Sequence, residues 1–187
     1  MDFLDISHHL TYAKKYQLNI TLKHDDIKGT GLFAIRDINE NEIIAHYKLK
    51  ICNSKNYISP LDFRYSFAIF SRSGHSLEHL IGDIDDNCFP MPIDNIPFWG
   101  PFVNEPSGKQ HINACFNPNL KYNYKKYNRR GFKIGDTVIY SICSIRPINT
   151  GEEITVYYGE DYSRDYKINL SDDDKQKCVY NNLKSLK

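Results

Sequence analysis

The sequence predicts a mainly β fold with a short helix near each end, and three observations support this. Aromatic side chains, which favour strands, are abundant, with 14 tyrosines and 10 phenylalanines among 187 residues. Short runs rich in β-branched and aromatic residues alternate with polar turns. At the N-terminus the apolar residues follow helical spacing instead, and the C-terminal tail is polar. A chain of this length is most simply one domain with terminal extensions.

The predicted elements follow each other closely along the chain. An amphipathic helix is predicted over residues 5–17, where apolar residues recur at helical spacing at Ile6, Leu10, Ala13 and Tyr16. Strands are predicted at 19–22, 31–35, 42–47, 65–70, 122–124 and 137–142. A polar turn is expected at 37–42, and prolines predict a loop at 93–98. The tail after Tyr162 is predicted to be helical.

Composition excludes several classes of protein. Lys and Arg total 24 against 23 Asp and Glu, so no strong field points to nucleic acid or an anionic membrane. The five cysteines form no C-x-x-C pair, which predicts free thiols in a reducing compartment instead of a disulfide framework or zinc cluster. With neither a signal peptide nor a membrane span in the sequence, we expect an intracellular protein, nuclear or cytoplasmic and not secreted.

The segment from Gly29 to Ala34 fits G-x-G-x-x-A, the fingerprint of dinucleotide-binding folds. That fingerprint requires an apolar strand before it and a helix after it. Here a polar stretch precedes the glycines and a strand-like run follows. The glycines are therefore interpreted either as allowing close approach of a ligand to the backbone or as a turn with positive φ.

Two later segments contain side chains suited to a binding site. Asn104 carries both amide donors and an acceptor, and Glu105 adds a carboxylate beside it. The stretch from Gly151 to Gly159 holds an acidic turn, a short β-rich run and a tyrosine pair directly before a glycine. Taken alone, the first could be a surface loop capped by asparagine, and the second an ordinary strand ending in a Tyr-Gly corner.

Read together and in this order, the three segments resemble the SET-domain protein lysine methyltransferases. Residues 151–159, G-E-E-I-T-V-Y-Y-G, resemble the G-E-E-L-T-F-D-Y-G of that family, and Tyr158 falls on its catalytic tyrosine. Residues 98–106 resemble its R-F-x-N-H-S-C-x-P-N segment, with Asn104 in the asparagine position and Glu105 replacing histidine. Tyr157 replaces the usual aspartate. Val156 falls where many members carry the Phe/Tyr switch that limits the number of methyl groups added.

The resemblance implies transfer of a methyl group from S-adenosylmethionine to a lysine of a protein, with histone tails the commonest substrate type. Tyr158 would be catalytic, and Tyr47 would line the lysine channel, although a core tyrosine is the alternative for Tyr47. No metal, nucleic-acid or membrane site is implied. The implied cofactor-binding residues are Lys28, Gly29, Thr30, Gly31, Leu32, Asn104, Glu105, Tyr158 and Tyr162.

The fold implied by the resemblance consists of small β-sheets around a threaded C-terminal pseudoknot. Residues 1–18 would then be an N-terminal helical extension and residues 19–162 the SET domain. Residues 163–187 would form a helical tail that closes the cofactor pocket. Relatives often follow the tyrosine strand with a zinc-binding C-x-C tail, but only Cys178 lies beyond Gly159 in this chain. It would therefore be a minimal form of the family, and Tyr162, Tyr166 or the terminal helix could close the pocket instead.

Two alternative functions remain open at the level of sequence. The departures at Glu105 and Tyr157 are compatible with a SET-fold binding module that has no turnover. In addition, residues 75–79 fit H-x-x-E-H, an inverted zinc-protease pattern in which His75 and His79 would be the ligands. That pattern requires a substantial helix, and the nearby glycines leave room for little, so a solvated helix face is predicted there.

Overall fold

Helix α1 lies near the N-terminus, helix α2 near the C-terminus, and the strands lie between them. The computed structural model describes residues 6–26, 28–59, 61, 63–70, 76–84, 93–119, 131–160 and 162–184. The helices cover Ile6–Tyr16 (α1) and Asp172–Lys184 (α2). The strands cover Ile20–Asp25 (β1), Gly29–Ala34 (β2), Ile43–Asn53 (β3), Phe67–Phe70 (β4), Ser76–Asp83 (β5), Ala114–Pro118 (β6) and Thr137–Ser144 (β7).

Within the described ranges the strands form two antiparallel sheets. Strands β1 and β2 pair as a hairpin, and the larger sheet has the order β4-β5-β3-β7-β6. The long β3 is central because its apolar residues are buried almost continuously from Ile44 to Cys52. The mainly β prediction is therefore confirmed. The strand predicted at 122–124 lies outside the described residues.

One segment was predicted wrongly in its secondary structure. The sequence predicts a solvated helix face at residues 75–79, whereas Ser76–Asp83 form β5. This strand pairs with both β3 and β4, and Gly82 lies against Leu49 and Ile69 with no room for a side chain. Pairing with two neighbouring strands therefore outweighs the polar local composition, since strand propensity depends strongly on tertiary context.

Helix α1 is amphipathic as predicted, but its most buried residue is one the periodicity did not select. Ile6, Ala13 and Tyr16 pack against the main hydrophobic core. The buried residue is His9, whose ring lies 5.9 Å from that of Trp99 and 5.0 Å from that of Phe102 in edge-to-face geometry. Edge-to-face packing of aromatic rings is favourable, and it fixes the helix against the segment that leads to Asn104.

The C-terminal segment is hydrogen-bonded to three other parts of the chain. The N–H of Ile154 donates to the carbonyl of Leu32 in β2, at 2.7 Å, and the N–H of Val156 donates to the carbonyl of Asn104, at 3.0 Å. The buried amide of Asn113 accepts from the N–H of Thr155 and donates to the carbonyl of Glu153, both at 2.8 Å. The resemblance implied a C-terminal segment enclosed by the rest of the chain, and these bonds surround it.

Helix α2 begins later than the predicted tail, because residues 162–171 are irregular. Its start is set by Ser171, whose hydroxyl accepts from the N–H of Asp174, while the carboxylate of Asp174 accepts from Ser171. This reciprocal pair is a capping box with Asp in place of Glu. Cys178 packs beside Cys115 and Ile145 of a small core cluster. Neither described helix is long and apolar enough to cross a membrane.

Candidate active site

The glycine segment of β2 lies directly against the asparagine segment and the C-terminal segment. A Cβ atom added to Gly31 would lie 2.8 Å from Glu153 Oε1 and 3.0 Å from Asn104 Nδ2. A side chain at this position would displace the Glu153 carboxylate and the Asn104 amide, so glycine lets both pack directly against the strand. The fold therefore brings together three stretches that are far apart in sequence.

A polar network surrounds Gly31, with the carboxylate of Glu153 at its centre. Lys28 Nζ lies 2.5 Å from Glu153 Oε2, and Asn104 Nδ2 donates to Glu153 Oε1 at 3.0 Å. Gln110 Nε2 also donates to Glu153 Oε2, at 3.1 Å, and Lys28 Nζ donates to Gln110 Oε1, at 3.1 Å. We call Lys28, Gly31, Asn104, Gln110 and Glu153 the glycine side. The Glu153 side chain is only 8% exposed, so its charge is strongly felt by its partners.

The other predicted cofactor residues of this segment, Gly29, Thr30 and Leu32, belong to β2. Gly29 opens the strand with a φ of +76°, a conformation that favours glycine. Leu32 is completely buried. After β2 the chain enters a turn and then β3, with no helix following. The dinucleotide fingerprint is therefore excluded, because it needs a helix N-terminus at the phosphates.

Tyr158 lies beside this network and is held at both ends. Its hydroxyl donates to the carbonyl of Val103 at 2.6 Å, and its backbone N–H donates to Glu105 Oε1 at 2.8 Å. The ring of Tyr162 lies 4.9 Å away in edge-to-face geometry. Although Tyr158 is 36% exposed, burial of its phenol raises its pKa well above 10, and Tyr162 and Glu105 add to this. The phenol therefore stays protonated at neutral pH.

Tyr65 is hydrogen-bonded to the predicted channel residue Tyr47. Burial raises the pKa of Tyr65, Arg64 opposes the shift, and Tyr162 adds to it. Tyr65 contributes in the same way to the raised pKa of Tyr158. The hydroxyl of Tyr47 donates to the carbonyl of Tyr65 at 2.8 Å, and its ring packs 4.6 Å from that of Phe67. Tyr47 is thus buried in the core behind Tyr65, and its catalytic role stays a prediction.

Glu105 faces away from the glycine side. Its carboxylate accepts hydrogen bonds from Arg164 and Tyr166, as well as from the backbone of Tyr158. Contact between Glu105 and a cofactor stays a prediction. Glu153 is the carboxylate that lies beside Gly31.

Several residues of the site were missed by sequence reasoning. Gln110 was not recognised as a candidate site residue, and Tyr65 was interpreted only as part of a strand. Arg164 lies outside every recognised segment. A signal for it did exist, because a glutamate in the apolar stretch 98–106 needs a cationic partner once buried. Val156, at the switch position of the resemblance, is completely buried in the main core.

The zinc-protease pattern is not supported by the described part of the segment. His79 lies in β5 with a φ of +64°, so the helix that H-x-x-E-H requires is replaced by strand from Ser76 onward. His75 lies outside the described residues. Among the residues that the structure does describe, no group of three or more His, Cys, Asp or Glu side chains could hold a metal ion.

Comparison with known families agrees with this geometry. The family model described as "SET domain" matches residues 29–159, from the first glycine of β2 to the glycine after Tyr158. The chain belongs to the SET-domain family. The matched range contains every residue of the glycine side except Lys28, which immediately precedes it. Membership of this family supports methyltransferase activity.

The solved structures similar to this SET domain have low sequence identity to it. One similar structure is a candidate histone methyltransferase of Plasmodium falciparum, with 16% identity and a TM-score of 0.46, covering 78% of this chain and 97% of that one. Another is the methyltransferase domain of human PR domain-containing protein 2, with 14% identity and a TM-score of 0.47, covering 86% and 90%. No curated protein matches the sequence.

Proposed function

We propose that this SET domain transfers a methyl group from S-adenosylmethionine to a lysine side chain of a protein. The observation that carries the proposal is the position of Tyr158, whose phenol lies among other tyrosines and bonds to Val103, the residue before Asn104. A phenol so placed can act at the boundary between the glycine side and an aromatic channel.

The substrate amine must be neutral to react, because an ammonium group has no lone pair. A free lysine has a pKa of about 10.4 and is almost wholly protonated at neutral pH. Desolvation among aromatic rings disfavours the charged form and lowers that pKa. Tyr65, Tyr158 and Tyr162 supply such surroundings. We therefore assign these three residues to the wall of the lysine channel.

Tyr158 acts in this proposal by positioning and not as a general base. Its raised pKa keeps the phenol neutral across the physiological range, so it cannot accept the proton of the amine as a phenolate. Its own proton is engaged by the Val103 carbonyl at 2.6 Å. A rigid phenol oxygen can hold the reacting groups in line, and such positioning lowers the barrier to a displacement.

The glycine side offers the cofactor polar side chains and partly exposed main chain. S-adenosylmethionine, when bound, supplies a methyl group on a positively charged sulfur. The missing Cβ at Gly31 lets Asn104 and Glu153 pack against the main chain of β2, and the partly buried Gly29 and Thr30 offer their main chain beside them, with the buried Leu32 behind. Asn104 offers amide donors and an acceptor, while the Glu153 carboxylate favours a cationic ligand. Tyr162 is assigned to the outer wall.

Histone tails are the first substrates to test, since they are the commonest substrate type of the family. On this proposal the protein would act in the nucleus or the cytoplasm, and with a histone substrate it would be a chromatin regulator. The aromatic channel itself selects a lysine side chain and not a particular protein. The flanking sequence of the substrate would therefore be read by surfaces outside the channel.

Tritiated S-adenosylmethionine with mixed histones and a lysine peptide library tests the proposal. We expect label on lysine, identified by mass spectrometry, and none with peptides in which arginine replaces lysine. Cofactor binding in calorimetry without any transfer would favour a binding module instead. Bound zinc together with peptide cleavage would favour the hydrolase reading.

A further inference from the structure

The carboxylate of Glu105 is fully engaged by groups of the C-terminal segment. Oε1 accepts from the N–H of Tyr158 at 2.8 Å and from Arg164 Nη2 at 2.9 Å. Oε2 accepts from Arg164 Nε at 3.0 Å and from the hydroxyl of Tyr166 at 2.9 Å. The side chain is only 1% exposed. A buried charge is stable only when paired and hydrogen-bonded, and here every requirement is met from within the chain.

Arg164 is the cation of this arrangement and is itself held from several directions. Besides its two bonds to Glu105, its Nη2 donates to the carbonyl of Gly159 at 2.6 Å. Its guanidinium carbon lies 5.5 Å from the ring centre of Tyr157 and 5.3 Å from that of Tyr162. These distances fit cation–π contacts, which favour arginine. The chain after Tyr158 therefore folds back around a single guanidinium group.

Tyr158 is positioned by two neighbouring parts of one short segment. The carbonyl of Val103 fixes its hydroxyl, and the carboxylate of Glu105 fixes its backbone, at 2.6 and 2.8 Å. The intervening Asn104 turns its side chain to Glu153. Asn104 thus belongs to the glycine side, while its two neighbours, Val103 and Glu105, hold Tyr158. Catalytic geometry tolerates errors of only about 0.5 Å, so loss of one of these two supports is expected to matter.

From this geometry we propose that Glu105 is a positioning residue, which acts on turnover through Tyr158 and not through contact with the cofactor. Together with Arg164 and Tyr166 it forms what we call the C-terminal clamp, which ties these two residues to the backbone of Tyr158. The proposal rests on the proposed function for its catalytic part. Its tethering part concerns the protein alone and is measurable without any substrate.

The kinetic test uses Glu105→Gln, which keeps the shape of the side chain but removes its charge. Hydrogen bonds to a charged group contribute enough that we expect turnover to fall about tenfold. The dissociation constant of S-adenosylmethionine, measured by calorimetry, should stay within about twofold. Arg164→Lys keeps the positive charge but should still lower turnover, because an ammonium group lacks the planar fork that bonds to both oxygens. A dissociation constant that rises as much as turnover falls would overturn the proposal in favour of direct cofactor contact.

The tether is tested by hydrogen exchange followed by mass spectrometry on the protein without ligand. In Glu105→Gln we expect faster exchange in residues 157–166 and unchanged exchange in β3 and β7. Unchanged exchange in 157–166 would overturn the proposal. If this variant does not fold, the double variant Glu105→Gln/Arg164→Met removes both charges and avoids an unpaired buried one. Tyr166→Phe removes a single bond to Oε2 and should give a smaller increase in the same peptides.

Arg36→Ala provides the matched control, because Arg36 also pairs through two nitrogens with a glutamate, Glu42, and neither residue belongs to the glycine side or the clamp. The turnover of Arg36→Ala and its exchange in residues 157–166 should equal those of the wild type. A tenfold loss of turnover in this control would show that the effect is not specific to the clamp. A wild-type protein that methylates nothing would refute the proposed function and the kinetic role. The exchange experiment would still decide whether Glu105 holds Tyr158.

Discussion

Two largely buried carboxylates, Glu105 and Glu153, bind different partners and are used differently. Glu153 belongs to a recognised motif and gathers Lys28, Asn104 and Gln110 around the glycine of β2. Glu105 departs from the family pattern and gathers Arg164 and Tyr166 of the C-terminal segment. The glycine side is thus built mainly from motif residues, while the C-terminal clamp joins Glu105, a departure from its motif, to Arg164 and Tyr166, which no motif contains. We expect the first to govern cofactor binding and the second to govern turnover.

The largest effect that separates the two sides is expected from Tyr158→Phe. Loss of one well-placed hydroxyl in an active site typically lowers turnover by about 100-fold or more. Affinity for S-adenosylmethionine should hardly change, since the glycine side is intact. Single-turnover methyl transfer and calorimetry measure the two quantities. Equal losses of binding and turnover would contradict the separation of the two sides.

Asn113→Ala should damage both sides together, because this buried amide supports the segment that joins them. It removes hydrogen bonds to the N–H of Thr155 and the carbonyl of Glu153 and leaves both without that partner. We expect the free energy of unfolding to fall by about 2 kcal/mol, measured in urea. A loss of cofactor affinity without any loss of stability would show that Asn113 belongs to the glycine side alone.

Asn104→Ala should weaken cofactor binding, the quantity assigned to the glycine side, and leave turnover nearly unchanged. The variant removes a bond to Glu153 at 3.0 Å and the donors available to a ligand. We expect cofactor affinity to weaken about tenfold while turnover at saturating cofactor changes little. Calorimetry and saturation kinetics separate these quantities, with exposed Asn56→Ala as the control. The hypothesis fails if turnover falls at saturating cofactor and the affinity does not change.

The smallest effect concerns the more exposed Arg36–Glu42 pair, which has the chemistry of the clamp but not its burial. The hydrogen bond from Arg36 lowers the pKa of Glu42 below its ordinary 4.5, with help from the N–H of Asn39. A lowered pKa in the folded state stabilises the protein above pH 4.5, and this is lost as the pH falls through the folded value. In Arg36→Ala we expect a slightly lower urea midpoint at neutral pH than in the wild type, and a smaller fall of that midpoint towards pH 3. A difference between the two proteins that grows on acidification would contradict this.

Local patterns predicted much of the fold because they reflect backbone preferences that act over a few residues. Strands β2, β4 and β7 begin and end near their predicted limits, β1 and β3 begin near theirs but extend further, to Asp25 and Asn53, and α1 follows its apolar spacing. The strand β5 was predicted wrongly because its identity depends on pairing with β3 and β4, which are distant in sequence. The register of such pairs is set by the sheet and not by the strand alone.

The sequence by itself determined the family, the mainly β class and the three segments that meet at Gly31, Asn104 and Tyr158, because motifs record the residue types that a site requires. Only the tertiary structure decided which carboxylate serves which side. Glu105 and Glu153 are equivalent as charges, and their roles differ only because Arg164 reaches one and Lys28 the other. Long-range pairing of buried charges leaves no local pattern in a chain, so it became visible only when the partners were in place.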